Sequence, residues 1–391
     1  MDGLRCVLGI EKQGCRIADV GMFDHFLRDV RSVVNRDGEQ NAIPPLDGAF
    51  IPNDRLDACA PIGDPLPGLD DVVADNAGAI YVSAGRTVLK LSGTGFETRH
   101  LVMEFDGEAG GLALHPDGRL LVCVGGRGLA AIDPENPRPL WLERAEGQLL
   151  AGLLSVTAAP DGRILAVEGS AGRLPNQWRN DLMEKRGNGR LISCDAGLAS
   201  ARVDLSGLRY PYGISFAADS GGLWFTESWA HRVSRVSVGA NGLQQSEVVL
   251  RNLPGYPARI HPDGRGGFYL GMFARRTHLI EFVLKEDDFR EEMMATIAPD
   301  YWVAPAFAGG SDCLEPMQIG SVKALGIQKP WAPPRSYGLL VRLDGNGEAT
   351  DSIHSQAGGR FHGITGACAT PQGTVIAARG AGRLLLQPGG L

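Results

Sequence analysis

Apolar and polar positions along this chain alternate in short runs that break at Gly, Asp-Gly or Pro, and one unit recurs. It consists of a short apolar segment, a turn built on Asp-Gly or a close variant, and a second run rich in Val, Ile, Leu and aromatic residues. Six copies are found, at 71–85, 111–125, 156–169, 213–228, 259–273 and 364–380. Two-residue hairpin loops need positive φ, which Asp-Gly supplies, so each copy predicts two antiparallel strands. A third apolar run follows each pair, at Thr87–Ser92, Gly128–Asp133, Gly189–Asp195, Arg232–Val238, Thr277–Leu284 and Gly382–Gln387. The turn glycines at 78, 118, 162, 222 and 267 lie 40, 44, 60 and 45 residues apart, a spacing that suits blades of three or four strands. The fold class expected is all-β: a six-bladed β-propeller over 56–391.

Two stretches break the pattern. Between 267 and 373 the spacing is too long for one blade, and a long insertion at 285–336 before the last blade accounts for it. A helix is expected over Asp287–Ile297, with Phe289, Met293, Met294 and Ile297 on one stripe. An irregular Pro/Trp stretch follows, and Tyr337 resumes strand chemistry. A long insertion of this kind reads as a lid or an interface. Upstream, residues 1–55 form an N-terminal extension with a helix near 23–34, on which Phe23, Phe26, Leu27, Val30 and Val34 share a face. That helix either packs on the body or docks a protein partner or a second copy of the chain.

Composition narrows the function classes. Gly 54 and Pro 24, with 21% charged and 43% hydrophobic residues, exclude a coiled coil and a disordered chain. A net charge of −7 offers no cationic excess for a phosphate backbone, so nucleic acid is not an expected partner. The absence of an apolar run of membrane-spanning length and of a leader-like start gives the expectation of a cytoplasmic protein with no membrane span. The seven cysteines at 6, 15, 59, 123, 194, 313 and 368 show no paired spacing and read as reduced core thiols. Gly126-Arg-Gly128 mimics a dinucleotide fingerprint, but Asp133-Pro134 arrives before a helix can form. No nucleophile elbow, HExxH, Walker A or EF-hand loop occurs, and no cofactor is expected.

The segments Tyr210–Phe216, Leu223–Ser228 and Leu253–Pro257, continued by Gly189–Ile192 and Tyr337–Gly347, resemble the strictosidine synthase-like branch of the SMP-30/gluconolactonase superfamily over about 60–390. The resemblance implies a six-bladed propeller, the architecture the repeats give independently. Metal-dependent lactonases and phosphotriesterases of that superfamily hold calcium or a similar ion in the central channel, through a Glu on the first blade and Asn or Asp on later ones. Aligned on those positions, this chain carries Asp70, Leu154, Tyr212 and the run Pro257-Ala258-Arg259. Three of the four cannot ligate a hard cation, so a metal-independent site is expected. Strictosidine synthase itself is metal-free and uses a Glu on its last blade. Gly366 stands at or beside that position here.

Channel-facing groups are expected at the starts of the innermost strands: Asp70, Asp71, Ser155, Tyr212, Arg259, His362 and Thr365. Arg259 opposite Asp70 is either an ion pair closing the cavity or a planar clamp for a substrate anion. His362 is the acid/base candidate, with Asp70 or Asp71 as an alternative base and Tyr212 as a hydrogen-bond donor to a developing oxyanion. Glu227 and His231, on the turn after the second strand of the fourth blade, either contact substrate or brace that loop. Trp178, Trp229, Trp302 and Trp331 lie in loops or insertions, where they line an apolar mouth or anchor the loops. Two functions stay open. One is a metal-independent enzyme acting on a small anionic or aromatic molecule, by ester or lactone hydrolysis or by a strictosidine-synthase-like addition or condensation. The other is a non-catalytic binding or scaffold propeller.

Overall fold

Each of the six repeats folds into the two inner strands of a four-stranded antiparallel blade, and the blades form a six-bladed β-propeller. The computed structural model describes residues 43–217, 222–239, 242–309 and 335–391, together with the backbone of two short strands at Lys323–Ala324 and Ile327–Gln328. The innermost strands, in blade order, are Leu69–Ala74, Ala109–Leu114, Leu153–Ala158, Pro211–Phe216, Gly255–Pro262 and Ile364–Thr370. The helix expected near 23–34, Trp331, Cys6, Cys15 and Cys313 lie outside the described residues. Cys59, Cys123, Cys194 and Cys368 are buried thiols, and burial raises the pKa of all four.

Alternation of side chains along each strand gives every blade two apolar faces, and the blades stack through them. Between the sixth and first blades, for example, Val72, Ile80 and Val82 meet Val375, Ala377 and Leu384. The ring is closed by sequence-distant pairing: Ala60–Ile62 supplies the outermost strand of the sixth blade by pairing with Leu384–Leu386. The segment before it crosses the fifth blade's outer strand, where Asn53 donates to the Ser352 carbonyl at 3.0 Å and Leu56 N–H donates to the His354 carbonyl at 3.1 Å.

The fifth blade departs from expectation. The run at 277–284 is not its third strand but helix α2, His278–Lys285, which follows helix α1 (Trp178–Met183) in chain order and precedes helix α3, Asp287–Thr296. A short apolar run does not by itself distinguish helix from strand. Here Thr277 caps α2 by accepting from Ile280 N–H, and Ile280 and Val283, three apart, form its buried side. The third strand is instead Gly338–Leu343, paired with Phe268–Met272, so the insertion interrupts the fifth blade from within. The expected stripe on α3 is also only partly buried. Met293 packs inward against Trp302, while Phe289 is 50% exposed and Phe282 on α2 is 58% exposed. No helix among the described residues is long and apolar enough to cross a membrane.

Two buried histidines make folding pH-sensitive. His354 lies between Tyr337 Oη (3.0 Å to Nδ1) and Ser352 Oγ (2.8 Å to Nε2), and burial lowers its pKa from 6.5 to about 4. His231 is pushed well below its ordinary value by burial and by Arg276. As the pH falls below 6.5 the unfolded chain takes up protons that the folded chain refuses. The stability these residues contribute is therefore present above pH 6.5 and lost as the pH falls toward about 4. Urea unfolding between pH 5 and 6.5 should show stability rising with pH, by about 1 kcal/mol per pH unit for each histidine on average over that window. His354→Gln should remove that histidine's share of the slope; an unchanged slope would refute the assignment.

Candidate functional site

Every inner hairpin carries a register shift at the same place. Such a β-bulge adds one residue and re-aims its side chain. The extra residues are Asp70, Gly110, Leu154, Tyr212, Ala258 and Thr365. The residues that follow them, Asp71, Gly111, Ser155, Gly213, Arg259 and Gly366, form a tier in which four members are Gly or Ser. The two tiers hold six of the seven predicted channel residues. The small side chains of the second tier leave the axis to Arg259 and Asp71.

Arg259 is 1% exposed and spans the axis. Its Nη1 donates to the Asp70 carbonyl at 3.0 Å. Its Nη2 donates to the Asp70 carboxylate and, at 2.7 Å, to the Leu154 carbonyl. Nε reaches the Leu154 carbonyl at 3.2 Å and Asp71 Oδ2 at 3.3 Å, and the Tyr212 ring lies 5.2 Å below the guanidinium. The donors of Arg259 are thus spent on oxygens of the first and third blades. The geometry corresponds to the ion-pair reading of Arg259, with Asp70 and Asp71 as its counter-charges.

Asp71 is fully buried. Its Oδ1 accepts from Val72 N–H and its Oδ2 from Leu112 N–H, both at 2.9 Å, and His261 Nε2 lies 3.2 Å from Oδ1. Burial opposes the charge, but Arg259, His261 and the backbone donor hold the Asp71 carboxyl below its ordinary pKa. Asp70 bridges two guanidiniums, because Arg379 also donates to its carboxylate. Thr365 Oγ1 donates to the Asp70 carbonyl at 2.5 Å. Burial raises the phenol of Tyr212, which also bonds to Arg379.

A small cavity of about 70 Å³ opens where the inner strands begin, lined by Asp70, Glu108, Arg259, Arg379, Leu154 and Pro175 among others. Arg379 keeps 27% of its side chain exposed and lies 4.4 Å from the Phe307 ring. Beside it, Trp178, Trp229, Tyr210, Tyr212, Tyr256, Phe273 and Phe307 pack on one another, with Tyr210 stacked on Trp229 at 4.4 Å. Trp229 Nε1 donates to Asp181 of α1 at 2.7 Å.

Other candidates are placed elsewhere. His362 does not join the channel carboxylates: its Nδ1 meets Ser336 Oγ and its Nε2 the Gln356 carbonyl, each at 2.8 Å. It precedes the inner strand of the last blade by two residues, and its bonds run to the neighbouring loops. Glu227 accepts from Arg232 Nε at 2.7 Å and Arg209 N–H at 2.9 Å, which braces the turn. His231, with φ 49, bonds the Gly255 carbonyl at 3.2 Å and approaches Glu281 of α2 at 3.6 Å. Trp302 is buried, and its Nε1 donates to the Ile297 carbonyl at 2.8 Å. Arg379, Glu108 and His261 are not among the residues expected from the sequence. The end of a second strand lies beside the start of its inner strand, a rule that points to Arg379. Period-two alternation from Arg259 points to His261.

No family model matches the chain. Its homologues among curated proteins are strictosidine synthase-like proteins and adipocyte plasma membrane-associated protein. Protein strictosidine synthase-like 6 of Arabidopsis thaliana is 28% identical over 206 residues, covering 52% of this chain and 54% of that one. The human adipocyte plasma membrane-associated protein is 27% identical over 171 residues, 41% of this chain and 40% of its own. The chain spans about half the length of these relatives. Among solved structures, a gluconolactonase from Xanthomonas campestris aligns with TM-score 0.55 at 12% identity, covering 84% of this chain and 88% of that one. A calcium-binding regucalcin from Agrobacterium tumefaciens aligns with TM-score 0.54 at 12% identity, covering 84% and 92%. These neighbours share the fold. The channel oxygens of this chain do not suit a calcium ion, because the Asp70 carboxylate and the carbonyls of Asp70 and Leu154 are bonded to Arg259, and Leu154, Tyr212 and Ala258 add no ligating side chain.

Proposed function

We propose that the protein is a metal-independent propeller enzyme that hydrolyses an ester or lactone of a small anionic organic molecule at the channel mouth. The homologues and the fold support an enzyme family of this architecture. The observation that carries the reading is the cavity that gathers two carboxylates and two guanidiniums. Of the two cations, Arg259 is committed to its oxygen cage, and its fixed charge takes the role that a divalent ion plays elsewhere. Arg379, partly exposed and set against the Phe307 ring, is the group that receives a substrate anion or a developing oxyanion. Asp70 or Glu108 accepts a proton from the attacking water. The exposed Phe282 and Phe289 favour a second reading, in which the insertion is an interface and the ring a scaffold.

The test is turnover of aldonolactones and aryl esters. Arg379→Ala should lower kcat/KM by about a hundredfold or more, with an unfolding midpoint lowered less than in Arg259→Met, because Arg379 is partly exposed and Arg259 stays on Asp70. Activity should survive prolonged chelation. Activity that is lost on chelation and restored by calcium would overturn the metal-independent reading. No turnover of either class by the wild type would leave the scaffold.

A further inference from the structure

Below the plug formed by Arg259, the same register defines a third tier. Two residues further along each inner strand stand Val73, Ala113, Thr157, Ser215, His261 and Cys368, paired with Tyr81, Leu121, Leu165, Trp224, Tyr269 and Val375 on the second strands. A rise of about 3.3 Å per residue puts this tier roughly 7 Å past Arg259, on the far side of the plug from the mouth cavity. Ala113 and Thr157 are only partly buried, and the His261 side chain itself keeps 11% of its surface exposed.

From this arrangement we infer that His261 is a carboxylate-oriented proton acceptor facing the end of the channel opposite the mouth cavity. Asp71 is ionised and accepts only, so His261 Nε2, 3.2 Å from its Oδ1, must donate. In the neutral ring the lone pair is then on Nδ1. Nδ1 has no partner among the described residues and is not among their buried unpaired atoms, while the side chain is 11% exposed. The open part of the ring therefore includes the lone pair.

The dyad is rigid on three sides. Asp71 is pinned by Leu112 N–H and Val72 N–H, and Arg259 lies against its other oxygen. A Cβ on Gly366 would lie 2.6 Å from Asp71 Oδ1 and 3.1 Å from His261 Nε2, so the last blade closes over the pair. Arg259 offsets the charge of Asp71, which leaves the tier without a net charge around the imidazole. The ligand that fits is a small neutral molecule with a hydroxyl or N–H donor. The proton it gives up goes to Nδ1, and Asp71 stabilises the imidazolium formed.

The probe is diethyl pyrocarbonate, with modified histidines mapped by mass spectrometry. His261 should be carbethoxylated alongside the exposed His100, while the enclosed His231 is spared. In Asp71→Asn the amide can donate to Nε2, moving the lone pair inward, and modification of His261 should slow about tenfold or more while that of His100 is unchanged. Long-range ¹H–¹⁵N spectra of the wild type supply a readout that does not depend on the variant folding, and should show the Nε2–H tautomer. An unmodified His261 beside a modified His100, or an Nδ1–H tautomer, overturns the inference. None of these readouts depends on lactone or ester turnover.

Discussion

Arg259→Met lowers the folding free energy by about 3–5 kcal/mol, the scale for removing one partner of a buried ion pair and stranding the other. Met keeps the apolar stem but not the guanidinium, so the space that group leaves adds to the electrostatic loss. What remains is the Asp70 carboxylate with only Arg379 beside it and Asp71 with one fewer counter-charge, together with a Leu154 carbonyl that loses its side-chain donor and an Asp70 carbonyl that keeps only Thr365 Oγ1. Equilibrium unfolding in urea measures it. The double variant Arg259→Met/Asp70→Asn should be more stable than the single one, because the stranded charge has gone. A loss below about 1 kcal/mol in the single variant would mean that water or a solute ion enters and replaces the guanidinium.

Gly213→Ala is the second large effect, and its cause is steric. A Cβ at this position would lie 2.6 Å from Arg259 Cα and 2.7 Å from both the Ala258 oxygen and the Ile260 nitrogen. All three are backbone atoms of the next blade's inner strand, so no side chain can turn aside. The fourth and fifth blades must separate, which loosens their packing and shifts Arg259 from its cage. A cost of about 3 kcal/mol or more is expected, at the upper end for overpacking. Gly118→Ala is the control: it has positive φ but open space around it, and should cost only about 1 kcal/mol. Similar losses in the two variants would show that the inner strands have room to give.

The propeller was legible because its signals are local and repeated. Alternation and Asp-Gly turns mark the same two strands in all six copies, and each copy is an inner hairpin in the structure. The fifth blade misled at 277–284, where five apolar residues in eight positions suit a strand or a helix equally, and the capping Thr277 decides for the helix. The site was legible at Asp70, Asp71, Arg259 and Thr365, because the start of an inner strand can be found from the repeat. Their partners were not. A bulge leaves no mark in composition, Arg379 reaches Asp70 across 309 residues of sequence, and His362, which the reading placed on the axis, is drawn away by Ser336 and Gln356.

The strand Ala60–Ile62 has a consequence for how the protein is made. It is translated 322 residues ahead of its pairing partner, counting from Ile62 to Leu384, and must wait, its edge unsatisfied, until the residues around Leu384–Leu386 have been made. Until then the first five sheets form an open arc whose two end faces are apolar and exposed. Closure thus has to follow translation of both partners, a clasp fastened by two sequence-distant segments of the body, and an arc that precedes it is a form vulnerable to aggregation.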